Sequence, residues 1–148
     1  MFDGNLGTSN GKPYDIKLKP DAEPYHRKYF PIPHIHELTF KQELDKLEAL
    51  NVINKVNRSK WGALTFIIPN KDSTLRFISD FRELNKRILR QPYPIPKIQD
   101  LLLRLEVFRY GTTLDINMCY YHIEICAKSK ELCTIITQWG KYEYQLLP

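Results

Sequence analysis

Asp115 is the residue of this sequence best placed, by type and context, to do chemistry. It follows Thr113-Leu114 and precedes Ile116-Asn117-Met118-Cys119-Tyr120-Tyr121. A carboxylate at the end of a short strand, followed by small or polar residues, can hold a metal ion while nearby backbone N–H groups receive a phosphate. Taken alone, a strand-end aspartate more often shapes a turn. The nearest acids in sequence, Glu106 and Glu124, have no metal-ligand spacing with it.

Basic residues form the second group. Lys71 and Arg76 flank what the pattern predicts to be a hairpin, one at its tip and one on its second strand. There they could meet a triphosphate, Arg76 as a bidentate fork and Lys71 as a mobile point charge. The alternative is a solvated hairpin edge whose charges oppose aggregation. Arg82, Lys86, Arg87 and Arg90 make a basic run just before Pro92 and Tyr93. Contact with a nucleic-acid backbone and a plain solvated face fit that run equally well.

Charge over the whole chain sharpens this. The net charge is +5 in 148 residues, but from Ile53 to Lys97 ten Lys and Arg stand against three Asp and Glu. The rest of the chain carries twelve against fourteen, so the positive excess sits in one middle segment. A polyanionic partner is the natural inference, because clustered cations release counterions from phosphates, and from charge alone a solvated basic face fits equally well.

Other chemistries lack their residues. There is no Ser/His/Asp order and no glycine-rich phosphate loop. His26, His34, His36 and His122 form no metal-binding pattern, and Cys119, Cys126 and Cys133 lie seven apart with no CxxC pair. An odd number of cysteines at that spacing suits a reduced, intracellular protein. No apolar run approaches the ~20 residues that span a bilayer, and the first twelve residues, MFDGNLGTSNGK, carry no secretory signal.

The elements that would position these residues follow from periodicity. Residues 1–36 look like an extended arm lying on another surface, with one possible edge strand over Tyr14–Lys19. A helix is expected over Thr39–Leu50, with Phe40, Leu44 and Leu47 on its apolar face, a Thr39/Gln42 capping box and Asn51 at its end. Lys55–Lys60 reads as a basic loop, and Trp61 as a core residue in preference to a stacking platform. Leu64–Ile68 and Leu75–Ile78 form the hairpin, and a helical turn is expected over Glu83–Lys86. Pro92, Pro94 and Pro96 lead into a second helix with Ile98, Leu101, Leu102 and Leu105 on one face. A strand over Thr112–Ile116 and a second hairpin of Cys133–Thr137 with Tyr142–Leu146 complete an α+β fold.

Four phrases in order, and a tail, go further. They are Trp61-Gly-Ala with the strand to Pro69, Leu75-Arg-Phe-Ile-Ser-Asp-Phe-Arg-Glu-Leu-Asn-Lys86, Pro92-Tyr-Pro-Ile-Pro96, Leu114-Asp-Ile-Asn-Met-Cys-Tyr-Tyr-His-Ile123, and Trp139 to Pro148. Together they resemble the reverse transcriptase of gypsy-type long-terminal-repeat retrotransposons. The resemblance covers most of the chain from about Tyr29. It implies the fingers and an incomplete palm of a right-hand polymerase, with residues 1–36 as the arm and 37–148 as fingers and first part of the palm.

The resemblance also implies roles. Asp115 would be the first metal-binding aspartate of the palm. Met118 and Cys119 would turn backbone N–H groups toward the incoming triphosphate, and Tyr120 would be the aromatic gate that disfavours a ribose 2′-hydroxyl. Lys71 and Arg76 would clamp the triphosphate, and Arg82, with Lys86 and Arg87 beside it, would contact the template strand. The implied partners are an RNA or DNA template-primer, deoxynucleoside triphosphates and the rest of a polyprotein (remaining palm, thumb, RNase H), with no membrane. The implied chemistry needs two Mg2+ ions about 4 Å apart. The family supplies two further aspartates from a later Tyr-x-Asp-Asp hairpin that this sequence does not contain, so the chain is expected to be inactive alone. The alternative is a non-catalytic nucleic-acid-binding or interaction module derived from a retroelement.

Overall fold

The computed structural model describes residues 6–7, 9–69, 75–105, 109–113 and 118–148. Helix α1 spans His34–Ala49 and starts five residues before the expected Thr39. Pro33 supplies the start: its φ of −56° and ψ of 135° feed the helix, and His36 N–H donates to its carbonyl at 2.8 Å. Proline needs no N–H partner at a helix entry. The Thr39/Gln42 capping box therefore does not form, because Thr39 lies inside the helix. The C-terminal end behaves as expected. Asn51 takes the left-handed conformation (φ 55°), its N–H donates to Glu48 O at 2.9 Å, and Val52 N–H donates to Leu47 O at 2.9 Å. These are the paired bonds of a Schellman ending. Phe40, Leu44 and Leu47 are the buried face.

Strands β1 (Ile53–Val56), β2 (Ala63–Pro69), β3 (Leu75–Asp80), β4 (Thr134–Thr137) and β5 (Gly140–Tyr144) form one sheet in the order β1-β5-β4-β2-β3. β2 and β3 make the expected antiparallel hairpin, in register from Leu64 opposite Asp80 to Pro69 opposite Leu75. β4 and β5 make the second one, and β4 runs parallel to β2 with Ala63 opposite Ile135. β1 corrects the expected loop. Lys55 and Val56 lie in an edge strand, with Ile53 opposite Tyr144 and Val56 opposite Lys141. Only its ends are turned inward, so a four-residue strand of this kind leaves little alternation to read.

Helix α2 (Arg82–Arg87) follows β3, α3 (Ile98–Leu103) follows the prolines, and α4 (Ala127–Lys130) precedes β4. The core lies where α1 and the sheet meet, around Leu44, Val52, Ile53, Trp61, Ile135, Tyr142 and Tyr144. Trp61 is thus a core residue. The apolar face expected of α3 is not covered by the described residues: Ile98 and Leu102 are 74% and 60% exposed. Thr112 and Thr113 are not in a strand, and the rest of the expected strand over Thr112–Ile116 lies outside the described residues.

The arm lies on the domain itself. Tyr14 bridges Ile125, Leu18 bridges Ile88 and His26 bridges Gly62, in place of the expected edge strand. Ile16 and Ile32 are buried, so the arm contributes apolar surface and not only backbone.

Candidate functional site

A cleft of about 810 Å3 opens between β3 with α2 on one side and the turn at Tyr120–Tyr121 on the other. That volume suits a small ligand. Arg76, Arg82 and Tyr120 all line it, together with Phe81, Tyr144 and Pro148. Arg76, the exposed residue of an otherwise half-buried β3, reaches it from its place opposite Ile68. Tyr120 reaches it from a 3-10 turn over Cys119–His122 and is 64% exposed.

Met118 precedes that turn with φ 52° and ψ 35°, a left-handed conformation rare for a side chain of its size. Such backbone outliers gather at ligand sites because the surroundings must hold them in place. Tyr121 N–H donates to Met118 O at 2.9 Å, which closes the turn. Below it, Tyr121 and Tyr144 sit with ring centroids 6.4 Å apart, and Phe81 meets Tyr144 edge-on at 5.9 Å. Burial pushes both phenols above their ordinary range.

Arg82 enters the cleft already paired. Its Nε donates to Asp80 Oδ1 at 2.8 Å and its Nη2 to Oδ2 at 2.7 Å, while its backbone N–H donates to Oδ1 at 3.1 Å. The guanidinium hydrogen bond holds the Asp80 carboxyl below the usual carboxylate range. Lys86 pairs with Glu83 at 2.6 Å. Arg87 donates to Glu83 O, Glu83 Oε2 and Glu23 O, and its guanidinium lies over the Tyr25 ring. Arg87 therefore fastens α2 to the arm.

Among the expected site residues, the fold gathers Arg76, Arg82 and Tyr120 into the cleft. Met118, Cys119, Lys86 and Arg87 do not line it. Asp115 and Lys71 lie outside the described residues. Among the described residues no three His, Cys, Asp or Glu side chains come together to hold a metal ion, so the two expected magnesium ions find no donor set there. Sequence reasoning missed Tyr14, Ile16, Phe81 and Tyr144 as cleft residues. Of these, Phe81 and Tyr144 lie in the phrases and tail already singled out, Phe81 next to Arg82 and Tyr144 in the tail from Trp139 to Pro148.

No protein-family model matches the chain. It is 27% identical over 139 residues to the retrovirus-related Pol polyprotein of transposon 412 from Drosophila melanogaster, covering 90% of this chain and 11% of that protein. It is 28% identical over 135 residues to the Pol polyprotein of transposon gypsy from the same organism, covering 86% of this chain and 13% of that protein. An RNA-directed DNA polymerase homolog of Oenothera berteroana is 32% identical over 75 residues, 51% of this chain and 53% of that protein. The chain thus spans a small part of the length of the Pol polyproteins it matches. Among solved structures, the prototype foamy virus protease-reverse transcriptase superposes with a TM-score of 0.85 at 24% identity, over 99% of this chain and 20% of that one. The foamy viral enzyme in complex with double-stranded DNA superposes with a TM-score of 0.76 at 18% identity, over 99% of this chain and 25% of that one. The chain is similar in sequence to the retrovirus-related Pol polyproteins of Drosophila transposons, gypsy among them, and its fold matches a part of the foamy virus protease-reverse transcriptase.

Proposed function

We propose that this chain is part of an RNA-directed DNA polymerase of retrotransposon origin and that its cleft receives a deoxynucleoside triphosphate. One observation carries the reading: Arg76, Arg82 and Tyr120 converge on the same cleft. Arg76 supplies a guanidinium that makes no ion pair among the described residues and suits phosphate oxygens. Arg82 keeps its fork on Asp80, so its exposed edge offers positive field more than a fresh bidentate contact. Tyr120 presents an aromatic edge where a sugar would lie and excludes a 2′-hydroxyl by bulk. Met118 and Cys119 precede Tyr120 in the strained turn without lining the cleft, and Lys71 would be a second cation for the triphosphate.

Asp115 would bring one carboxylate to a magnesium site; among the described residues no three His, Cys, Asp or Glu side chains come together to hold a metal ion. Divalent ions, when bound, supply charge neutralisation at the phosphates. This chain's own share is to bind and orient the triphosphate. We read it as unable to extend a primer alone. The template-primer is its nucleic-acid partner, by analogy with the foamy viral enzyme solved with double-stranded DNA.

Binding of deoxythymidine and uridine triphosphates, followed by calorimetry on the whole chain, tests this. Arg76→Gln should weaken both by about tenfold, the loss of a charge-assisted pair. Tyr120→Ala should improve the ribonucleotide relative to the deoxynucleotide. Equal binding by wild type and Arg76→Gln would refute the assignment. Magnesium-dependent primer extension by the purified chain, abolished by Asp115→Asn, would refute its inactivity alone.

A further inference from the structure

The arm carries cations that the cleft does not use. Lys17 and Lys19 alternate with Ile16 and Leu18, and because Ile16 is buried and Leu18 half-buried, both lysines face solvent. Leu89 N–H donates to Lys17 O at 2.7 Å and Lys19 N–H to Arg87 O at 2.9 Å, which fastens the arm antiparallel to residues 87–89. Lys19 Nζ donates to the Lys86 carbonyl at 2.8 Å, at the end of α2 where carbonyl oxygens gather.

The outcome is a groove of about 400 Å3 lined by Lys19, Asn85, Lys86, Ile88 and Arg90. Three of those five side chains are cationic and none is acidic. Lys86 is balanced by Glu83, but neither Lys19 nor Arg90 makes an ion pair among the described residues. Asp21 and Glu23 line a neighbouring notch that shares Lys19 and Lys86 with the groove. The groove shares Asn85 and Ile88 with the cleft, so the two adjoin. Tyr93, three residues beyond Arg90, is 79% exposed. Cationic grooves and exposed aromatic side chains are the features that proteins use to track single-stranded nucleic acid, and here the exposed ring follows the groove's Arg90 by three residues of chain.

We infer that the groove between the arm and α2 takes the phosphodiester backbone of a single strand continuing from the cleft, with Lys19 and Arg90 as its phosphate contacts. This rests on the reading of the chain as nucleic-acid-binding. It adds that the arm, outside the basic middle segment, is part of the binding surface.

The test is fluorescence anisotropy of the full chain with a labelled oligothymidylate across a salt series. Lys19→Gln with Arg90→Gln should weaken binding about tenfold at low salt and lower the log-log salt slope by about 1.4, two phosphates at ~0.7 each. Lys19→Arg with Arg90→Lys should keep binding within about twofold, since charge and not shape is what the phosphates meet. Lys46→Gln, which removes one charge from α1, should also stay within about twofold. Wild-type binding with no loss in the double variant, or an equal loss from Lys46→Gln, overturns the groove while leaving the nucleic-acid reading standing. An equal loss with a blunt duplex overturns the assignment to a single strand. No binding of the oligonucleotide by the wild type, even at low salt, overturns both readings.

Discussion

Ser79 Oγ and Tyr144 OH lie 2.9 Å apart, joining β3 to β5 across the two strands that separate them in the sheet. Tyr144 is almost fully buried, and its phenol reaches past β4 and β2 to find a partner at the base of the cleft. Ser79 sits next to Asp80, which holds Arg82. A side-chain hydrogen bond thus ties the strand that carries Arg76, and the Asp80 that holds Arg82, to the interior of the sheet.

Tyr144→Phe removes that bond and keeps the ring. The expected cost is about 1 kcal/mol, the usual net worth of a buried neutral hydrogen bond. Urea melts of Tyr144→Phe and Ser79→Ala check it. If the two residues act through each other, the double variant should lose little more than either single one.

Gly62 is held between the arm and β4. Its N–H donates to Tyr25 O at 2.8 Å and its carbonyl accepts from Arg27 N–H at 3.1 Å. A Cβ there would come within 2.3 Å of Ile136 Cδ1 and 2.9 Å of Ile136 Cγ1. Gly62→Ala should therefore destabilise by ~1–3 kcal/mol, the range for overpacking a close-fitted site. Combining it with Ile136→Val, which shortens the obstructing side chain, should recover part of the loss in thermal melts.

Legibility in the sequence followed range. The β2–β3 hairpin was readable because six consecutive residue pairs form within eighteen residues of chain. β1 was not, because what makes Lys55-Val56 a strand is pairing with β5, more than eighty residues later. The start of α1 was misplaced because Thr39 and Gln42 mimic a capping box while Pro33 performs the entry. Arg76, Arg82 and Tyr120 were singled out by the order of their phrases, and the fold brings the three to one cleft. Tyr14 and Ile16 were not readable as cleft residues, since they reach the cleft only through backbone bonds such as Tyr14 N–H to Glu124 O and Cys126 N–H to Tyr14 O.

Helix α3 and its lead-in expose Ile95 (80%), Ile98 (74%), Leu102 (60%) and Leu103 (65%). A cluster of that kind drives association when nothing covers it. The chain should self-associate with rising concentration, and Ile98→Glu with Leu102→Glu should shift sedimentation toward the monomer. The melting temperature should stay nearly unchanged, because neither side chain packs on the core.

Three carboxylates should make the fold sensitive to acid. The hydrogen bond from Lys128 lowers Asp15, that from Arg82 lowers Asp80, and those from Lys86 and Arg87 lower Glu83. A carboxyl lowered in the folded state contributes stability that is fully present above its unfolded pKa, about 4. That contribution drains away as pH falls through the lower folded value, because the unfolded chain then binds protons first. Chemical melts should be flat from about pH 7 to 5 and decline below about pH 4. Asp80→Asn should remove part of the decline. Added salt should shrink it, since these pairs lie at the surface and are screened. A stability that stays level down to about pH 2 would mean that these pairs do not hold the arm and α2 in place.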